Sequence, residues 1–127
     1  MKTKFFATTG FVFTIIATQL FFLISSCNSK PKNDCKTPDV ISYTKDIAPI
    51  IEAKCFMCHA PDVYKKKASR NKIFDYKSLK KMGGSGQLIG SITHAQGFIA
   101  MPYKKGTKID ACSIDLISKW VSTGMKE

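Results

Sequence analysis

Positions 55 to 59 read Cys55-Phe56-Met57-Cys58-His59. Two cysteines three residues apart, with a histidine directly after the second, fit a redox dithiol, half of a zinc site or a covalent haem anchor. A thioredoxin-type dithiol sits where a strand meets a helix in a βαβ pattern, and no such pattern surrounds these residues. A zinc ribbon needs four ligands, commonly from a second Cys pair of the same spacing or from paired histidines. The chain has no second such pair and only one other histidine, His94. Haem attachment requires only what is present.

Working back from the motif, the spacing predicts a helix over 47–59. Ile47, Ile50, Ile51, Cys55 and Cys58 share one stripe, so the apolar face also carries the two sulfurs. On that helix Cys55 and Cys58 can form thioethers with the two vinyl groups of one haem c, and His59 turns an imidazole nitrogen onto the iron. Thr44 or Asp46 is the expected cap, which puts Pro49 in the first turn, where proline is tolerated.

The N-terminus says where such a haem would be attached. Residues 1–26 carry Lys2 and Lys4, then a largely apolar run from Phe11 to Ile24, and no acidic residue precedes Asp34. That is the layout of an export signal. Its exit, Leu23-Ile24-Ser25-Ser26-Cys27, resembles the lipobox of bacterial lipoproteins, in which Cys27 is acylated and becomes the mature N-terminus. The competing reading is an uncleaved membrane helix over Phe5 to Ile24. Both export and tether the remainder, with the domain facing the periplasm or the cell exterior. Covalent haem attachment takes place outside the cytoplasm, which agrees. Residues 27–38 are then the lipidated start and tether, polar over 28–34, and 39–127 the folded domain.

With Cys27 assigned to lipid, Cys35, Cys55, Cys58 and Cys112 remain, and an oxidising compartment leaves few thiols bare. Pairing Cys35 with Cys112 staples the two ends of the domain. Pairing Cys55 with Cys58 instead makes a dithiol switch, and spacing alone does not choose between them.

A haem held by His59 needs its sixth position assigned. Met82, His94, Met101 and Met125 are the candidates; Met57 is too close to the anchor to cross to the far face. Met101 lies in an irregular stretch, after Gly97-Phe98-Ile99-Ala100 and before Pro102, where a flexible thioether can reach iron without disturbing a helix. Met82 and Met125 read as core. His94 is the rival ligand, or a hydrogen-bonding residue near the haem.

Taken together, the Cys55 to His59 motif, Met101-Pro102 and a last helix carrying Trp120 resemble monohaem c-type cytochromes of class I over most of 39–124. Tyr43 to Ile51, Ile92-Thr93-His94 and Cys112 to Trp120 resemble a lipoprotein subset of them. The resemblance implies a small all-α domain wrapped around one covalent haem, with His59 and Met101 as axial ligands. The 60–75 stretch lacks the Gly-Pro-x-Leu segment of the mitochondrial pattern, which leaves open the backbone carbonyl that orients the second nitrogen of His59.

The rest of the chain agrees with an all-α class. Residues 75–82 read as a short helix ended by Gly83-Gly84-Ser85-Gly86, and 87–94 as another turn or two with Leu88, Ile89 and Ile92 inward. Asp110 caps a final helix with Ile114, Ile117 and Val121 on one face and Gly124 as its stop. That helix is expected to pack across 47–59. No alternating run argues for a sheet.

Charge bears on partners. Lys and Arg number 20 against 9 Asp and Glu, for a net charge of +11. For an exported, tethered domain this favours an acidic redox protein, a membrane oxidoreductase or anionic lipid, with nucleic acid the least suited. Three functions stay open: a single-electron carrier, a sensor or peroxide-reducing enzyme with a labile sixth ligand and His94 or Tyr103 as acid or base, and a haem subunit of a larger complex.

Overall fold

Ser42 opens the first helical segment. Its Oγ accepts the Lys45 N–H at 3.2 Å, and its own N–H donates to Oδ2 of Asp46 at 2.8 Å. This is the reciprocal arrangement of a capping box, displaced by one residue. The displacement follows from a widened turn over Tyr43–Ile47, in which the Ile47 N–H reaches Ser42 O at 3.3 Å and the Ala48 N–H reaches Tyr43 O. Ser42 therefore caps, where Thr44 or Asp46 was expected; Asp46 takes the reciprocal role.

The computed structural model describes residues 35–127. The expected export signal 1–26, the lipidation site Cys27 and residues 28–34 lie outside the described residues. Helix α1, Ala48–His59, has Pro49 in its first turn. It stops at His59 because Ala60, extended at φ −62° and ψ 155°, precedes Pro61, whose ring disfavours helical backbone in the residue before it. A short α2, Tyr64–Lys67, follows, then α3, Tyr76–Gly84, capped by the Asp75 carboxylate on the Ser78 N–H at 2.9 Å. Helix α4, Gln87–Ile92, and helix α5, Ala111–Ser122, complete the set; Asp110 caps α5 through the Ser113 N–H at 2.9 Å. Every helix or strand element among the described residues is helical, so the domain is all-α.

Two expectations are corrected. Helix α3 runs through Gly83 and Gly84 instead of ending before them, and the chain turns at Gly86, in the left-handed region at φ 77°. A side chain at Gly83 would stand 2.8 Å from the Met125 sulfur and 3.3 Å from Val121, so the glycine is there for close approach of α3 to α5. The final helix α5 packs on α3, α4 and the Tyr43–Ile47 turn, and meets the N-terminal helical segment chiefly at that turn instead of crossing α1 as a whole.

Ile47, Ile51, Leu79, Ile117 and Trp120 are fully buried and join Ile41, Ile73, Leu88 and Ile92 in one core. Burying each such side chain contributes about 1.5–3 kcal/mol. The Trp120 Nε1–H donates to Lys126 O at 2.8 Å, and the same carbonyl accepts the Tyr43 N–H at 2.9 Å. The last turn is thereby tied to the first. Cys35 and Cys112 come to disulfide distance with their Cα atoms 5.4 Å apart, and Lys119 Nζ donates to Pro38 O at 2.9 Å, so residues 35–38 lie along α5. Among the described residues no helix is long and apolar enough to cross a membrane.

Candidate functional site

Helix α1 delivers two thiols and an imidazole to one cavity. Cys55, Cys58 and His59 sit in its last two turns, all line a cavity of 390 Å³, and its size is that of a small-molecule or cofactor pocket. Cys55 and Cys58 are both free and partly buried. Burial pushes the Cys55 thiol up to about 11. Among the described residues no three His, Cys, Asp or Glu side chains converge as a metal-ion site.

His59 is buried, and its Nδ1 lies 2.9 Å from Asn71 O. A carbonyl only accepts, so Nδ1–H is the donor, and Nε2 is the nitrogen that offers the lone pair of the imidazole. One ring nitrogen is thus tied, and Nε2 is the one left to ligate. The tie depends on the turn after α2, where Ser69 and Arg70 adopt left-handed φ of 49° and 63° and the Asn71 N–H closes on Ala68 O at 2.8 Å. Neither glycine nor proline marks that turn, so sequence reasoning had no signal for Asn71.

Met101 and Pro102 line the same cavity. The loop bearing them is fixed to α4: the Met101 N–H donates to Ser91 O at 3.0 Å, and the Met101 carbonyl accepts from His94 Nε2 at 2.9 Å. His94 is absent from the cavity wall, its imidazole being engaged by Met101. Met125 packs against Gly83 and the core, away from the cavity, as expected. Met82 packs on the core too, yet it also reaches the cavity wall from α3.

Ile73, Leu88, Ile92 and Ile109 supply an apolar lining, while Lys54, Lys67 and Lys105 stand at its margin with exposed Met57 and Tyr103. The residues present fit a covalent haem: two neighbouring thiols, an imidazole with a free nitrogen, a thioether and an apolar enclosure in one cavity. No protein-family model, curated protein or solved structure matches the chain.

Proposed function

We propose that the chain is a membrane-tethered, monohaem c-type cytochrome of the class I kind that carries single electrons between exported or membrane redox partners. The observation that carries this reading is His59, with Nδ1 held by Asn71 O and Nε2 free, in one cavity with the Cys55 and Cys58 thiols and Met101. The haem would supply a one-electron iron couple. Cys55 and Cys58 would hold it covalently, and His59 and Met101 would be its axial ligands.

The protein's own residues then do three things. Asn71 O keeps the His59 proton on Nδ1 and raises the basicity of the ring. Ile73, Leu88, Ile92 and Ile109 exclude water, which limits solvent reorganisation around the changing charge. Lys54, Lys67 and Lys105 present positive charge where a partner would approach, suited to an acidic redox protein or a membrane oxidoreductase. A lipid on Cys27 would hold the domain at the membrane, on the periplasmic or outer side, and raise its effective concentration near such partners.

The test is the optical spectrum of the haem-loaded protein, ferric, reduced, and reduced under carbon monoxide, beside Met101→Ala. A far-red sulfur-to-iron band and resistance to carbon monoxide, both lost in the variant, are expected. Ready carbon monoxide binding by the parent would instead mean an open iron and would replace electron transfer with ligand sensing or peroxide chemistry.

A further inference from the structure

Helices α4 and α5 end in the same backbone motif with different residues at its key position. In α5 the Gly124 N–H bonds Val121 O at 3.3 Å and the Met125 N–H bonds Trp120 O at 2.9 Å, with Gly124 left-handed at φ 96°. In α4 the His94 N–H bonds Ser91 O at 3.4 Å and the Ala95 N–H bonds Gly90 O at 2.9 Å, with His94 left-handed at φ 56°. Both are Schellman endings, whose left-handed position ordinarily takes glycine because a Cβ there is strained. The backbone alone gives no reason for histidine at 94. Its side chain does: Nε2 lies 2.9 Å from the Met101 carbonyl, an acceptor only, so Nε2–H is the donor.

A second contact holds the same loop. Phe98 sits over Gly90, so closely that a side chain at 90 would collide with the ring. Three ties therefore fix the loop to α4: His94 to Met101 O, Met101 N–H to Ser91 O, and Phe98 on Gly90. We propose that His94 is a positioning residue for Met101, its imidazole clamping the Met101 carbonyl so that the thioether is held at the cavity wall. This rests on the haem reading, because it makes the strength of the Met101–iron bond the quantity that His94 controls.

The experiment titrates exogenous imidazole into the ferric, haem-loaded protein, where it competes with Met101, and follows the far-red band. His94→Gly keeps the residue that a Schellman ending prefers, so the fold is retained while the clamp is lost. Its apparent imidazole affinity is expected to rise about tenfold, the scale of one lost hydrogen bond, and His94→Gln, which restores a donor, to return within about threefold of the parent. Gly90→Ala favours the helix yet displaces Phe98, and reaches the loop by a route that does not touch residue 94; a rise is expected there too. If the parent shows the band but His94→Gly stays within about twofold of it in affinity, the positioning role is overturned and the haem reading stands. If the parent has no band and Met101→Ala leaves imidazole affinity unchanged, Met101 is not the ligand, and both readings fall.

Discussion

Asn71 holds His59 through a backbone carbonyl, 2.9 Å from Nδ1, across a turn built from left-handed Ser69 and Arg70. The contact survives any change of the Asn71 side chain that leaves the turn intact, but not loss of the Asn71 N–H bond to Ala68 O. Asn71→Pro removes that donor and loosens the carbonyl's aim. A histidine relieved of its acceptor is a weaker donor to iron, so the haem-loaded variant is expected to show a more positive midpoint potential. Losing about 1 kcal/mol of hydrogen bond corresponds to about 40 mV on the one-electron scale of about 59 mV per tenfold. Redox titration of parent and variant checks this; an unchanged or lower potential counts against the role given to Asn71.

The Cys35 to Cys112 pair spans 77 residues. Chain-entropy arithmetic for such a loop gives up to about 4.5 kcal/mol of stabilisation, with measured values commonly about 2–5 kcal/mol. Cys112→Ser is expected to lower the unfolding free energy by about 2–4 kcal/mol in denaturant melts, and reductant is expected to lower the parent alone. Equal sensitivity of parent and variant to reductant would mean that the bond does not form in solution.

The sequence is most readable where side-chain type and spacing carry the information. Ile47 at its N-cap and Ile51, Cys55 and Cys58 within it mark α1 by their spacing, the isoleucines buried and the cysteines partly so, and Asp110 and Gly124 bracket α5 because both ends use their favoured residues. Gly83 and Gly84 mislead for the opposite reason. They read as a stop, whereas Gly83 is small because α5 passes beside it, a tertiary demand that overrides propensity. Asn71 and the His94 clamp are silent in the sequence because the groups that matter are backbone carbonyls, and because His94 occupies a turn position usually announced by glycine. The cavity joins residues from α1, the Ser69 turn, α3, α4 and the Met101 loop, and no local pattern predicts that convergence.

Lys67 and Lys105 border the cavity and offer a check on electrostatic steering. Electron exchange with ferricyanide, an anion, is expected to slow with added salt, and Lys67→Glu with Lys105→Glu is expected to slow it about three- to tenfold at low salt. Exchange with a neutral reagent should not change. Stopped-flow rates across ionic strength decide it; equal slowing for both reagents would place the effect in the haem environment and not in approach.

Asp110 joins two jobs, capping α5 through Ser113 and meeting Lys54 Nζ at 3.2 Å. The Ser113 backbone and hydroxyl bonds, with Lys54 adding to them, hold its carboxyl at about 2, below the ordinary 3.8. A depressed folded value means that the ionised group stabilises the fold fully above the unfolded pKa of about 4, and that this stabilisation is lost as pH falls toward about 2. Asp110 and Lys54 are each nearly half exposed, so the ion pair itself contributes only a few tenths of a kcal/mol, and the cap about 1 kcal/mol. Asp110→Asn keeps a capping oxygen but no charge, and is expected to cost about 0.5 kcal/mol at pH 7 and nothing near pH 2. Asp110→Ala loses cap and charge together, so its gap of about 1–1.5 kcal/mol should narrow over the same interval without closing. Asp75, also lowered by its bond from Lys72, shapes the parent's acid limb but cancels in these differences. Denaturant melts at intervals from pH 7 to pH 2 measure both gaps, and a gap that stays level for Asp110→Asn would remove the charge from the account.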